Sequence, residues 1–94
     1  MTIAQAHAIV LLVERDAVQR EDLRWTLIEA GYAVLAAPDP TAGLEIFRHH
    51  PDIDLLVAED GPALAVVRRD GAVRVVPKPC VAAGVVEAVR AALA

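Results

Sequence analysis

The feature that most constrains the fold of this chain is a series of short apolar segments that alternate with amphipathic ones. The apolar segments read AIVLLV over residues 8–13, YAVLAA over 32–37 and DLLVA over 54–58. Short, nearly continuous apolar runs are typical of strands buried on both faces, as in parallel sheets covered by helices. The alternation therefore predicts an α/β fold in which a parallel sheet carries helices on both faces.

Capping residues mark the helices between these strands. Asp16, a favoured N-cap residue, precedes a helical pattern. The pattern ends at Gly31, since glycine is favoured directly after the last residue of a helix. Asp39 precedes a second pattern, and Pro51 lies just beyond its end. A final helix is predicted over 81–94.

Residues 63–76 fit two different structures. Ala, Leu and Arg are good helix formers, so a helix over 63–71 followed by a fourth strand over 73–76 keeps the alternation and is the preferred interpretation. The competing interpretation is a β-hairpin that turns at Asp70-Gly71. The helical interpretation gives a doubly wound parallel sheet of four strands.

Length and composition limit the number of domains and the classes of protein to which the chain can belong. The 94 residues suffice for one core, so we expect a single domain over 1–94 with residues 1–7 as a loose tail. Thirteen acidic residues against nine basic ones give a net charge of −4 and no basic stripe, which argues against nucleic-acid binding. The single cysteine, Cys80, and the absence of a long apolar run or a secretory signal predict a soluble cytoplasmic protein without membrane contact.

The order of several motifs resembles the receiver domain of bacterial two-component response regulators. IVLLVERD resembles the family's first strand with its acidic cluster, HPDIDLLVAE its third strand, and VVPKP its last strand with a lysine–proline pair. LIEAGYAVLAA and AAGVVEAVRAAL resemble its first helix with the second strand and its closing helix, so that the resemblance covers residues 8–60 and 73–94. It implies a flavodoxin-like, doubly wound fold with an active site at the carboxyl ends of the strands.

The resemblance assigns the family's functional positions to six residues. These are Glu14, Arg15 and Asp16 in the acidic cluster, Glu59 and its neighbour Asp60 at the phosphoacceptor position, and Lys78, the only lysine of the chain, at the family's lysine position. In the family, the acidic cluster holds Mg²⁺ and the phosphoacceptor is an aspartate that receives phosphate from a histidine kinase.

The chain departs from the family in the chemistry of these positions. Arg15 puts a permanent cation where the family has a second acid for Mg²⁺. Glu59 is one methylene longer than aspartate, and a misplacement of about 1 Å can cost roughly 10²-fold in rate. These departures predict that phosphotransfer at this site is lost or feeble.

The chain also departs from the family in length. Only 18 residues separate Glu59 from Lys78. One strand–helix–strand crossover takes a dozen or more residues, so one crossover fits in this segment and the family's two do not. We therefore expect a flavodoxin-like receiver fold of four strands that lacks one strand–helix unit.

Two functions follow from these observations. The preferred one is a receiver-like signalling and protein-interaction module that works without phosphorylation, has no catalytic residues, and needs no cofactor or metal. In this hypothesis Glu59 forms charge-assisted hydrogen bonds with Arg15 and Lys78, and Arg15 replaces Mg²⁺. The alternative is a functional phosphoacceptor that binds Mg²⁺ and takes phosphate from a histidine kinase at Glu59 or Asp60.

The last predicted strand and helix suggest an interaction surface. The helix is apolar around more than half of its circumference, and a missing strand–helix unit leaves an edge or an apolar patch uncovered. Receiver domains commonly dimerise near this part of the fold, so we expect a homodimer or a fixed protein complex through 73–94, with domain swapping as a variant. The candidate interface residues are Val73, Val75, Val81, Val85, Val86, Val89 and Leu93.

Overall fold

A computed structural model of the chain describes residues 8–79 and 81–94, so the tail expected over residues 1–7 lies outside the described residues. The described elements alternate between strands and helices in the first half of the chain and form consecutive strands in the second. In chain order they are β1 (Ile9–Val13), α1 (Ala17–Glu29), β2 (Ala33–Ala37), α2 (Pro40–His49), β3 (Leu55–Asp60), β4 (Ala63–Arg68), β5 (Val73–Pro77) and α3 (Ala82–Leu93).

The five strands form one mixed sheet in the order β2-β1-β3-β4-β5. Strand β1 is parallel to β2 and β3, whereas β4 is antiparallel to both β3 and β5. The prediction of a doubly wound, four-stranded parallel sheet is therefore wrong. The spatial order is that of flavodoxin-like sheets, but the reversed direction of β4 separates this fold from them.

The first half of the chain follows the predicted elements, and its helices begin at the predicted caps. Asp16 Oδ1 accepts a hydrogen bond from the amide of Gln19 at 2.8 Å, and Asp39 Oδ1 accepts one from the amide of Ala42 at 2.8 Å. Each bond satisfies an amide that the first turn of a helix leaves without a partner. Gly31 follows α1 with a φ of 103°, in the left-handed region that glycine tolerates best.

The segment after β3 is a hairpin and not a helix, because the chain reverses at Gly61 and Pro62. Gly61 has a φ of 60°, which fits the first central residue of a type II′ turn, the two-residue turn that matches the twist of paired strands. Strand β4 then alternates in burial, with Leu64 and Val66 buried and their neighbours half-buried. That period of two is typical of a strand that packs through one face.

The second reversal confirms the competing interpretation, a hairpin that turns at Asp70-Gly71. The amide of Gly71 donates to the carbonyl of Arg68 at 3.0 Å, and the amide of Arg68 donates to the carbonyl of Ala72 at 2.8 Å. Gly71 has a φ of 94°, which only glycine adopts at little cost.

The sheet is covered on both faces, but unequally. Helices α1 and α3 pack together on one face, over a core of β1, β3 and β4 that includes Leu12, Leu27, Val57 and Val89. Helix α2 packs on the other face, against β1 and β2. Within residues 8–79 and 81–94, no helix has the length and apolarity needed to cross a membrane.

Arg69 fastens the turn between β4 and β5 to the end of α2. Its guanidinium donates to the carbonyls of Ile53 at 2.9 Å, His50 at 2.7 Å and Phe47 at 3.1 Å, and it stacks 3.7 Å from the centre of the Phe47 ring. Carbonyls at the end of a helix have no partner within the helix, so a cation there satisfies them and interacts favourably with the helix dipole.

Replacing Arg69 should therefore destabilise the domain more than replacing its neighbour. We expect Arg69→Met, which keeps the aliphatic stem, to lower the free energy of unfolding by about 1–3 kcal/mol because several charged hydrogen bonds are lost. The matched control is Arg68→Met, which removes only an exposed ion pair to Asp70 and should cost under about 0.5 kcal/mol. Urea unfolding followed by circular dichroism measures both values, and equal losses would contradict this role of Arg69.

Candidate functional site

Three of the positions carried over from the family, Glu14, Glu59 and Lys78, lie at the same end of the sheet, where β1, β3 and β5 terminate. Strands β1 and β3 are parallel, and the register that pairs Val13 with Ala58 puts Glu14 and Glu59 at adjacent strand ends. Strand β5 has the same direction, because two antiparallel steps, β3 to β4 and β4 to β5, restore it. Lys78, which follows β5, therefore lies at the same edge, and its amide donates to the carbonyl of Pro62 at 2.8 Å.

Glu59 and Lys78 form an ion pair at this edge. Lys78 Nζ donates a hydrogen bond to Glu59 Oε1. Strand β4 lies between them: its Leu64 pairs with Glu59 on one side and, on the other, with Val76, two residues before Lys78. The two side chains are 30% and 37% exposed, so the pair is partly desolvated and is not buried.

Glu14 is the buried acid of the site. It is 4% exposed, and its Oε2 accepts a hydrogen bond from the amide of Asp16 at 3.2 Å. Its own amide donates to the carbonyl of Ala37 at 3.1 Å, and its carbonyl accepts from Arg20 Nη1 at 2.9 Å. Glu14 thus fixes the loop between β1 and α1.

Arg20 closes this loop, and sequence reasoning did not find it. It lies on the first turn of α1, and its guanidinium also reaches the carbonyl of Arg15 at 3.4 Å. An arginine in the first turn of a helix is an ordinary helical residue by sequence, and nothing in its spacing marks it as a loop ligand.

The remaining predicted residues lie apart from the ion pair. The side chain of Arg15 is exposed and forms no ion pair with the side chains that the structure describes. Asp16 caps α1. The side chain of Asp60 lies outside the described residues. The structure therefore brings Glu59 together with Lys78, while Arg15 contributes no contact to that pair.

The described carboxylates of Glu14 and Glu59 do not fit a Mg²⁺ site. Magnesium requires several oxygen ligands in near-octahedral geometry. One carboxylate oxygen of Glu14 is held by a backbone amide, and Glu59 is bound by a lysine. Among the side chains that the structure describes, those of residues 8–59, 61–79 and 81–94, no group of three or more His, Cys, Asp or Glu is placed to hold a metal ion.

The seven residues predicted for an interaction surface fall into two groups. The exposed ones are Val73, Val75 and Val81. The buried or half-buried ones, which pack α3 onto α1 and the sheet, are Val85, Val86, Val89 and Leu93. The exposed members of the predicted surface therefore lie on β5 and directly before α3.

Fold and site together define a small α/β domain with a charged cluster at the carboxyl edge of a mixed sheet. No family model matches the chain. Among curated proteins it is similar to the "Transcriptional regulatory protein CseB" of Streptomyces avermitilis, a response regulator, with 52% identity over 48 residues. The match covers 50% of this chain and 20% of the relative, so the chain spans about a fifth of the length of the curated relative it matches. The similarity supports the resemblance to response regulators over that half of the chain.

A double-mutant cycle should detect the ion pair in solution. Combining Glu59→Gln with Lys78→Met should give a coupling energy of about 0.5–1 kcal/mol, because the pair is only partly desolvated. The coupling should shrink in molar salt, which screens exposed charges. The exposed pair of Glu87 with Arg90 in α3 is a control, and its coupling should be smaller. A coupling of zero between Glu59 and Lys78 would mean that the two side chains do not pair.

Proposed function

We propose that this chain is a signalling module of the response-regulator kind that acts through protein contacts and without phosphorylation. The observation that carries this proposal is the ion pair between Glu59 and Lys78. In this pair the carboxylate at the family's phosphoacceptor position is bound by the ammonium group of Lys78. The similarity to a response regulator over 48 residues supports the class of protein. In this proposal the chain is not an enzyme and needs no cofactor.

The charges around Glu59 favour a carboxylate that stays paired with Lys78 over one that accepts a phosphoryl group. A carboxylate that attacks a phosphoryl group needs a divalent cation to offset the charge of the phosphoryl oxygens. Glu14, the neighbouring acid, is buried and held by the amide of Asp16. Lys78 neutralises Glu59 directly, a role that the sequence had assigned in part to Arg15. With that charge already offset, the site has no need of a metal to stay folded.

The partner in this proposal is a protein, either a second copy of the chain or another signalling protein, that binds through the segment 73–94. The net charge of −4 argues against a nucleic acid as the direct partner, because nucleic-acid binding depends on a basic surface. The exposed valines of β5 support contact with an apolar surface.

The competing function is a phosphoacceptor that takes phosphate from a histidine kinase at Glu59 or Asp60, with Mg²⁺. The position of Lys78 beside Glu59 is the observation in its favour, because a lysine at this point would also stabilise an added phosphoryl group. The two functions differ in whether the carboxylate reacts.

Intact-mass measurement after incubation with acetyl phosphate separates the two functions. We expect the unmodified mass both with and without Mg²⁺, because Glu59 is held by Lys78. The variants Glu59→Gln and Asp60→Asn are matched controls that each remove one carboxylate and keep the shape of the side chain. A phosphoryl adduct that requires Mg²⁺ and disappears in one of these variants would establish the phosphoacceptor function and would contradict the proposal.

A further inference from the structure

Strand β5 forms one edge of the described sheet, and the direction of its backbone groups follows from its contacts with β4. The amide of Lys78 points toward β4, since it donates to the carbonyl of Pro62 at 2.8 Å. Backbone groups point alternately to the two sides of a strand. Val73, Val75 and Pro77 therefore direct their backbone groups to the open side of β5. Val73 and Val75 offer both an amide and a carbonyl there, whereas Pro77 offers only a carbonyl.

The same residues present apolar side chains on the less covered face of the sheet. Val73 and Val75 pair with Val67 and Ala65 of β4, on the face where α2 covers β1 and β2. They are 62% and 61% exposed. Sheet edges in soluble proteins usually carry lysines, bulges or inward charges that prevent pairing with another chain. On β5 the only charged residue is Arg74, and its side chain is on the opposite face.

We propose that β5 is a self-association strand that pairs antiparallel with β5 of a second copy of this chain. The pairing needs neither a phosphate nor the ion pair between Glu59 and Lys78. It would therefore stand if the proposed function failed, and its own failure would leave that function intact.

The backbone and the charge of β5 select one register for this pairing, with the two-fold axis at Val75. Val75 then exchanges two hydrogen bonds with its copy, and the amide of Val73 donates to the carbonyl of the partner's Pro77. An axis at Arg74 would make the same number of bonds but would bring two arginines directly opposite each other, which is unfavourable. An axis at Val76 loses bonds because Pro77 has no amide to donate.

The area of the contact predicts a weak dimer. One strand of five residues buries much less than the roughly 800 Å² per partner of a standard interface. We therefore expect a dissociation constant above about 1 µM and a dimer that is populated at high local concentration. A second copy is the occupant that suits this edge, because the backbone groups and the apolar side chains of β5 are complementary to themselves about the axis.

Sedimentation equilibrium of the full chain, from about 10 µM to about 1 mM, tests the association. We expect a reversible monomer–dimer equilibrium for the natural sequence and only monomer for Val75→Lys, which places two ammonium groups opposite each other at the axis. The matched control is Val18→Lys, a valine that is 79% exposed on α1, on the opposite face of the sheet from Val75, and it should retain the natural dissociation constant. Circular dichroism shows whether each variant is folded.

Two results would overturn the proposal. One is a natural sequence that stays monomeric over the whole concentration range. The other is a dimer that persists in Val75→Lys, as expected for a domain-swapped dimer or for a contact through α3. In the latter case Val81→Lys, which changes an exposed valine directly before α3, would dissociate the dimer instead.

Disulfide cross-linking tests the register. In a Cys80→Ser background, Val75→Cys should give an oxidised dimer, because hydrogen-bonded residues opposite each other in an antiparallel pair have Cα atoms about 5.5 Å apart, within disulfide range. Arg74→Cys should give none, since its counterpart lies diagonally across the axis. Cross-linking of Arg74→Cys without that of Val75→Cys would contradict the register.

Discussion

The length of chain between Glu59 and Lys78 decides how the second half of the sheet is built. Eighteen residues must lead from the end of β3 to the end of β5. A crossover helix and the strand it serves would take most of that length. The chain instead makes two tight reversals at glycines with positive φ, Gly61 and Gly71, and places β4 between them. Because two reversals restore the direction of the chain, Lys78 still follows β5 at the same end of the sheet at which Glu59 lies in β3.

Two basic side chains, those of Lys78 and Arg69, hold the hairpin of β4 and β5 at its opposite ends. At the carboxyl edge, Lys78 binds Glu59 and so joins the end of β5 to the end of β3. At the other edge, Arg69 ties the turn of the hairpin to the carbonyls that end α2. Helix α2 lies on the less covered face of the sheet, so Arg69 joins the second half of the domain to the helix that covers this face. Charged side chains thus add to the apolar core in holding the hairpin of β4 and β5 to the rest of the domain.

The sequence predicted the elements whose signals are local and missed those that depend on distant partners. Asp16 and Asp39 cap their helices through bonds to residues three positions away, so both helix starts could be read from the sequence. The segment ALAVVR suits either a helix or a strand, and only pairing with β3 and β5 decides between them. Arg20 and Arg69 reach their acceptors through long flexible side chains, and no spacing in a sequence specifies where such side chains end.

The hairpin also explains why β5 is both an edge and poorly covered. A helix over 63–71 would have packed on a face of the sheet and shielded the last strand from solvent. As β4, the same residues widen the sheet by one strand and shield neither Val73 nor Val75. The constraint that keeps Lys78 beside Glu59 is therefore the one that exposes β5. The association proposed for β5 uses the backbone groups and the valines that this hairpin leaves uncovered.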